Sequence, residues 1–395
     1  MKLKLLLCLM MLTVASSEPA FAEELPLEDF FKNSQFAGFQ VSPNGRELAA
    51  LAPVNGRMNI VVLDLETRKP RLISAENEQD VSGFMWATNE RILFFMDKDG
   101  SESFGIFAVN KDGSEPEVLV EPLDAQIRSG RARIRIVSVI DKLENDPDWV
   151  LVSSNERRAA YPEVFRLNIH NGRTRIVQRN PGDVVGWFTD WDGDVVGAVF
   201  QDELETGFKL LRDPKEGEWE VITEGRFDEP GFSPAGFRGD GETGWVTSNV
   251  TPDGAYRDKA ALYEYDFKNK KFGKLIFEHD TVDCCNVIMN RKKRDMIGLS
   301  YAVGKPEIVY TDERWKQIMD GIDSALPDTV NAISSLDDED TIAVVTASNS
   351  TEPTKYYLYN FENKALEWLA DSRPWIEPEK MAAMKPFSFE ARDGM

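Results

Sequence analysis

The side chains that most often carry out catalysis are sparse in this sequence, which contains only two histidines. His170 lies in the polar turn NIHNGR and His279 in FEHDTVD, where structural roles explain both better than general-base catalysis. The phrase GFSPAG around Ser233 comes nearest to the G-x-S-x-G motif of a serine nucleophile, but Pro234 has no backbone N–H to donate to an oxyanion hole. Ser233 is therefore predicted to be a loop residue, and no catalytic residue is assigned.

The spacing of the potential metal ligands does not indicate a metal site. Neither histidine has zinc-ligand spacing with the other or with the adjacent Cys284 and Cys285. The phrase DWDGD places Asp190, Asp192 and Asp194 at alternate positions, but it lacks the Gly at the sixth and the Glu at the twelfth position of a calcium-binding EF-hand loop. A hairpin turn explains it better, so the sequence predicts no metal and no cofactor.

Two sets of charged residues are candidates for holding a peptide. In RSGRARIRIVSVI, the alternation places Arg131, Arg133 and Arg135 on one face of a predicted strand, where guanidinium groups can bind a carboxylate such as a peptide terminus. The alternative is an exposed strand face whose arginines pair with nearby acids. Glu203 and Glu205 in FQDELETGF are candidates for holding a peptide amine.

The composition and charge of the chain limit the classes of molecule that it can bind. Hydrophobic residues make up 42% and charged residues 29% of the 395 residues, as in globular proteins with a sizeable core. A net charge of -22 repels nucleic acid phosphates and anionic lipid, so we expect no nucleic acid partner and no membrane contact beyond a leader peptide.

The amino terminus has the pattern of a secretory signal peptide. A basic start is followed by an apolar run from Leu5 to Val14 and by Ala20-Phe21-Ala22, which fits signal peptidase. Residues 1–22 are predicted to be removed by a cut after Ala22, which makes the mature protein secreted or periplasmic. Only the adjacent Cys284 and Cys285 would then remain, as buried small hydrophobic residues or, alternatively, as a vicinal disulfide.

A repeated phrase organises the chain that must position these residues. It consists of an alternating apolar strand, a polar turn and a second short strand, as in IVVLDLETRKPRLI. Copies begin at Ile60, Ile106, Val164, Phe208, Leu262 and Tyr356, with a degraded copy at Ile308. Most copies follow a second hairpin with its own turn signal, such as Pro43-Asn44-Gly45 or Asp192-Gly193. Each period of 44 to 58 residues therefore holds four short antiparallel strands.

Four strands per period, repeated about seven times, are typical of an all-β fold, the β-propeller with four-stranded antiparallel blades. A two-sheet sandwich competes, but it rarely holds so many residues. Helical periodicity is clear only near residues 313–326, which are predicted to form a short helical insertion in the sixth unit. The apolar residues on its one face are Trp315, Ile318, Met319, Ile322 and Leu326.

Several phrases resemble the amino-terminal propeller of the prolyl oligopeptidase family, closest to its bacterial acylaminoacyl-peptidase and dipeptidyl-peptidase-like members. They are LEDFFKNSQFAGFQVSPNGRELAAL, GWFTDWDGDVVGAVF, EPTKYYLYNFENKALEWLA and the final MKPFSFEARDGM. After the signal peptide predicted at 1–22, the resemblance implies a propeller at 23–370 and, at 371–395, a linker and first strand leading to an absent α/β-hydrolase domain.

The resemblance also implies a function. In this family the propeller caps the active site of a serine peptidase and admits short peptides, while the Ser-Asp-His triad lies in the hydrolase domain. We therefore expect this chain to be the substrate-gating portion of an exported peptidase, truncated before its catalytic domain, inactive alone, and partnered with short peptides through that domain. The alternative is a stand-alone periplasmic propeller that scaffolds other proteins, as TolB-like proteins do.

Overall fold

The strands of the protein form seven antiparallel sheets arranged as the blades of a propeller, so the predicted fold is confirmed. This computed structural model describes residues 25–97, 100, 102–130, 134–213, 217–226 and 228–393. The predicted signal peptide, residues 1–22, lies outside the described residues. None of the described helices has the length and apolar character that crossing a membrane requires.

The first four blades each contain four consecutive strands. Blade 1 comprises β1 (Ala37–Val41), β2 (Glu47–Val54), β3 (Arg57–Asp64) and β4 (Pro70–Leu72), and blade 2 comprises β5 (Gly83–Trp86), β6 (Arg91–Met96), β7 (Gly105–Asn110) and β8 (Glu117–Val120). Blade 3 comprises β9 (Val137–Asp141), β10 (Trp149–Ser154), β11 (Glu163–Asn168) and β12 (Thr174–Gln178), and blade 4 comprises β13 (Val184–Thr189), β14 (Val195–Asp202), β15 (Glu205–Asp213) and β16 (Glu218–Arg226).

The last three blades include one with three strands. Blade 5 comprises β17 (Phe232–Phe237), β18 (Thr243–Val250), β19 (Tyr256–Asp266) and β20 (Lys271–Phe277), and blade 6 comprises β21 (Asn286–Asn290), β22 (Asp295–Val303) and β23 (Lys305–Tyr310). Blade 7 comprises β24 (Val330–Leu336), β25 (Ile342–Ser348), β26 (Lys355–Asn360) and β27 (Ala365–Asp371). The described helices are α1 (Leu27–Phe31), α2 (Leu123–Arg128), α3 (Glu313–Ala325) and a 3-10 turn (Pro378–Lys380).

The repeated phrase of the sequence corresponds to the third and fourth strands of a blade. The copy that begins at Ile60 forms β3 and β4, and the copy that begins at Tyr356 forms β26 and β27. The degraded copy at Ile308 continues β23 into α3, as predicted. The preceding turn signals, such as Pro43-Asn44-Gly45, join the first and second strands, and we call these connections the A–B turns.

Both faces of each blade are buried against the neighbouring blades, and β10 shows how the sequence achieves this. Val150 and Val152 pack into a cluster shared with blade 2, whereas Leu151 packs into a cluster shared with blade 4. Adjacent residues of a strand point to opposite faces, so a strand between two blades is apolar at consecutive positions. All three residues are fully buried.

The first strand of each blade lies nearest the propeller axis, since β1 contacts both β5 and β24, and β9 contacts β13. The pairing between first and second strands contains a register shift in blade 1, between Ala37 and Gln40, and in every other blade except blade 2. A bulge increases the local twist of a strand.

The ring closes between blade 7 and blade 1 by packing, because the two blades share no strand. The rings of Phe39 and Tyr356 lie 4.7 Å apart between centroids within an apolar cluster that joins both blades. The backbone N–H of Val41 donates to Ser335 Oγ at 3.0 Å, and that of Gln35 donates to the carbonyl of Ser372 at 2.7 Å. Closure thus depends on side-chain contacts and isolated hydrogen bonds.

Helix α3 takes the place of a fourth strand in blade 6 and packs against blade 7. Its buried residues Trp315, Met319 and Ile322 lie on the predicted apolar face, and the last two join a cluster with Val345 of β25. Asp312 caps the helix, because its side chain accepts from the Trp315 N–H at 3.1 Å.

We expect the Asp312→Ala substitution to lower the free energy of unfolding by about 1–2 kcal/mol relative to the parent chain, which is the usual cost of losing an N-cap. The side-chain bond from Lys293 holds the pKa of Asp312 below its ordinary value. A carboxyl group whose pKa is lower in the folded than in the unfolded state stabilises the fold at a pH above its unfolded-state pKa. The stability that Asp312 contributes should therefore fade as the pH falls below about 4. Urea unfolding of the parent chain and the variant at neutral and at acid pH measures this difference in stability. The control is Asp320→Ala, because Asp320 is exposed on the same helix.

A matched pair of glycines tests how closely blades 2 and 3 approach. Gly172 has φ +68° and a Cβ there would lie 2.7 Å from the Leu119 carbonyl oxygen, whereas Gly254 has φ +85° with nothing within 4 Å. We expect Gly254→Ala to cost about 1 kcal/mol from backbone strain alone. Gly172→Ala should cost about 2–3 kcal/mol, because the clash with backbone adds to the strain. Equal losses in urea unfolding would contradict this contact.

The structure corrects the prediction that Ser233 is a loop residue, since it lies in β17, paired with Thr247. Pro234 is tolerated there because a register shift follows it, between Pro234 and Gly236, so its missing N–H falls at a bulge.

The two cysteines and the carboxyl-terminal segment also differ from expectation. Cys284 and Cys285 form a vicinal disulfide and are half-buried, rather than being buried free cysteines. Residues 381–391 make no strand pairing, although a strand was predicted there. A strand needs a partner to bond with, and the exposed rings of Phe387 and Phe389 instead stack on each other at 6.2 Å.

Candidate functional site: the axial cavity

A cavity of about 740 Å³, which we call the axial cavity, is lined by the first strands of blades 2 and 3 and by Arg291 of blade 6. Strand β9 forms one wall along its whole length, from Val137 to Asp141, and the first strand of blade 2 contributes Gly83 and Met85. The further lining residues are Ser82, Phe95, Phe104, Lys142 and Arg291. The walls are thus largely apolar, with cationic side chains at the end near the A–B turns. Its size and largely apolar lining are those of a small-ligand site.

A second cavity of about 380 Å³ lies between blades 6 and 7. Its apolar wall includes Ile333, Tyr310 and Trp315, and Lys142 and Arg291 line it as well as the axial cavity. Burial raises the pKa of Tyr310 to about 12, so its hydroxyl stays protonated at a pH where an ordinary tyrosine ionises.

Of the predicted arginine candidates, Arg135 alone belongs to the part of the chain that the structure describes, and it does not line the axial cavity. Arg131 and Arg133 lie outside the described residues. Arg135 precedes β9 instead of lying within a strand, and its Nε is 3.5 Å from Glu156 Oε2. The Arg135 backbone N–H donates to Gln126 Oε1 at 2.7 Å. Arg135 thus pairs with an acid but does not lie on an exposed strand face, and its peptide-binding role stays a prediction.

The predicted glutamate candidates lie on the hairpin between β14 and β15. Glu203 occupies the turn with φ 46°, and Glu205 begins β15. Both side chains are exposed, and neither lines the axial cavity. Their proposed contact with a peptide amine stays a prediction.

The two histidines have partners that fit structural roles. His170 lies in a turn of blade 3 with Nε2 at 3.2 Å from Asp148 Oδ1, as the turn prediction implies. His279 Nδ1 lies 3.1 Å from the Thr281 backbone nitrogen, and its ring packs on Tyr301 at 5.3 Å. Neither geometry places the imidazole against a serine hydroxyl.

The DWDGD segment forms the predicted hairpin turn. Asp190 Oδ1 accepts from the N–H groups of Asp192 and Asp194 at 3.0 and 2.9 Å, and Asp192 pairs with Arg294. Within the part of the chain that the structure describes, no three His, Cys, Asp or Glu side chains come together in a way that would hold a metal ion.

Sequence reasoning missed the residues that line the axial cavity, including Phe95, Phe104, Lys142 and Arg291. A usable signal was present for two of them. Lys142 and Arg291 directly follow the first strand of their blades, and first strands surround the axis of any propeller.

The fold and the cavity define the class of protein: a seven-bladed β-propeller with an axial cavity. In sequence, it is 23% identical over 384 residues to dipeptidyl aminopeptidase BIII of Pseudoxanthomonas mexicana, covering 96% of this chain and 53% of that protein. It is 21% identical over 384 residues to dipeptidyl peptidase family member 6 of Caenorhabditis elegans, covering 94% and 50%. The chain spans about half the length of the relatives it matches, and no family model matches it.

Solved structures support the same fold. A prolyl endopeptidase aligns with a TM-score of 0.59 at 12% identity, over 92% of this chain and 54% of its own. The propeller domain of the Trilobed protease from Pyrococcus furiosus aligns with a TM-score of 0.50 at 13% identity, over 86% of this chain and 97% of its own. The resemblance to the propeller portion of prolyl oligopeptidase family peptidases is therefore confirmed. A TolB structure from Acinetobacter baumannii aligns at 0.34, too low to argue for the scaffold alternative.

Proposed function

We propose that this chain is the substrate-gating propeller of a serine peptidase of the prolyl oligopeptidase family that acts on short peptides. The observation that carries the proposal is the alignment of 96% of the chain with a dipeptidyl aminopeptidase. The axial cavity gives it a physical basis, because about 740 Å³ falls within the range of about 300–1,000 Å³ typical of small-ligand pockets. A folded domain is excluded from such a space, whereas a short extended peptide is not.

The chain by itself is proposed to be inactive. Among the described residues, both histidines are engaged in local contacts with Asp148 and Thr281, and Ser233 pairs within a sheet. A serine nucleophile needs a base within hydrogen-bond reach and an oxyanion hole. In the family, these groups belong to the hydrolase domain.

Purified chain mixed with chromogenic dipeptidyl and prolyl substrates tests this part of the proposal. We expect no turnover above buffer, and no labelling by a serine-directed fluorophosphonate. Turnover that the fluorophosphonate abolishes, together with a labelled serine identified by mass spectrometry, would show that the chain carries its own active site.

Export is proposed as well, on the basis of the leader pattern in residues 1–22. Amino-terminal sequencing of the protein expressed with its leader in a bacterial host should find a chain beginning at Glu23. An uncut chain that starts at Met1 and stays in the cytoplasmic fraction would contradict export.

A further inference from the structure

The A–B turn of blade 6 consists of four consecutive cations, Arg291-Lys292-Lys293-Arg294, between β21 and β22. Like charges placed side by side repel one another, and the chain as a whole is strongly acidic. The turn is therefore favourable only if acidic groups surround it. The structure supplies one acid for each cation, and each acid belongs to a different element of the ring.

Two of these ion pairs reach across the propeller. Arg291 pairs with Glu144 of the A–B turn in blade 3, and two blades separate blade 6 from blade 3 on the shorter side of the ring. Arg294 pairs with Asp192 of the A–B turn in blade 4 through two bonds, at 2.7 and 3.2 Å. The pairing lowers the pKa of Asp192 and raises that of Arg294.

The other two ion pairs hold the turn to its neighbours. Lys292 Nζ lies 2.9 Å from Glu339 Oε2 in the A–B turn of blade 7 and donates to the Glu339 carbonyl at 2.9 Å. Lys293 pairs with Asp312, the cap of α3. The basic turn is thus tied to blades 3, 4 and 7 and to α3.

The basic turn lies at one end of the axial cavity. Strand β9 lines the cavity from its first residue, Val137, to its last, Asp141, so the cavity extends between the two ends of the inner strands. Arg291 lines the cavity at the end where the A–B turns lie, opposite the end marked by Val137. Because the Arg291–Glu144 pair spans the ring there, it lies across that end of the cavity.

We propose that the basic turn Arg291–Arg294 is an ionic latch that closes the A–B end of the axial channel, so that solutes enter and leave at the opposite end while its ion pairs persist. The inference goes beyond the proposed function, because it rests on the fold and the ion pairs alone. The paired side chains are about a third to three quarters exposed, apart from Asp312 at 17%. Exposed pairs are individually weak and are screened by salt, which makes the closure reversible.

Two serine-to-cysteine reporters on inner strands test the latch. Ser334 of β24 lines the second cavity three residues before the A–B turn of blade 7, and Ser138 of β9 lies near the opposite end of the axial cavity. Both side chains are exposed. The reagent is a maleimide attached to a polymer too wide to enter the channel, used without reductant so that the Cys284–Cys285 disulfide stays closed.

We expect Ser138→Cys to react and Ser334→Cys to be protected in the parent chain. Adding Arg291→Gln and Arg294→Gln should speed labelling of Ser334→Cys at least tenfold and leave Ser138→Cys unchanged. High salt should act in the same direction. The control is Arg226→Gln with Lys268→Gln, which removes two cations from exposed pairs with Asp228 and Glu242.

Exchanging the two charges of the Arg291–Glu144 pair distinguishes the loss of a latch from a folding defect. Combining Glu144→Arg with Arg291→Glu should restore protection of Ser334→Cys, because the pair is re-formed with its charges exchanged. Fast labelling of this reporter already in the parent would overturn the proposal, as would protection that survives removal of both arginines. None of these readouts involves a peptide or turnover, so the latch and the proposed peptidase role fail or stand separately.

Discussion

Replacing Phe208 with alanine is expected to lower the free energy of unfolding by about 3–5 kcal/mol, the range for truncating a fully buried aromatic side chain. Phe208 is 1% exposed and lies in β15, at the interface of blades 4 and 5. Its ring centroid is 5.4 Å from that of Phe188, 6.2 Å from Phe237 and 6.0 Å from Phe267. Alanine would remove these contacts and leave a cavity that two packed sheets can only partly fill.

Urea unfolding measures this loss, and Val221→Ala is the control because Val221 is 42% exposed on the outer strand β16. We expect the control to change the free energy of unfolding by no more than about 0.5 kcal/mol. A loss below about 1 kcal/mol for Phe208→Ala would show that the aromatic cluster does not hold the two blades together.

Replacing Arg91 with methionine is expected to cost about 2–4 kcal/mol, since it leaves buried acceptors without their charged donor. Arg91 is 2% exposed, and burial lowers its pKa. Its Nε donates to the Ile169 carbonyl of blade 3 at 2.6 Å, and its Nη1 donates to Asn110 Oδ1 at 2.7 Å and to the Glu115 carbonyl at 3.2 Å. Because methionine resembles the aliphatic part of the arginine side chain, the loss of stability reports chiefly on these hydrogen bonds.

The matched control is Arg71→Met, because Arg71 is exposed and makes a single 3.2 Å bond to the Lys111 carbonyl. We expect it to change stability by no more than about 0.5 kcal/mol. Similar unfolding midpoints for the two variants would mean that Arg91 does not link blade 2 to blade 3.

The blades could be predicted from sequence because each is built from neighbouring segments. Short hairpins with turn signals mark most of the strand pairs, and the face of α3 that carries Trp315, Met319 and Ile322 has a helical period. The misplacement of Ser233 has a local cause, since GFSPAG was judged only as a nucleophile motif and the bulge beside Pro234, which lets the segment lie in β17, was not visible in the sequence.

The site was less predictable because it is assembled from residues far apart in the chain. Glu144 and Arg291 are 147 positions apart, and no local pattern pairs them. The alternation around Arg135 predicted a strand face, but Arg135 precedes β9 and its guanidinium forms an ion pair with Glu156 of the loop after β10.

Photo-crosslinking with a short peptide tests the central claim, that the propeller admits peptides into its axial channel, most directly. A pentapeptide carrying a photoreactive phenylalanine would be irradiated with the purified chain, and the adducts mapped by mass spectrometry. We expect adducts on cavity residues such as Phe95, Phe104 and Val139, suppressed by excess unlabelled peptide but not by a folded protein. Adducts confined to outer strands such as β16, or unaffected by competing peptide, would contradict the account.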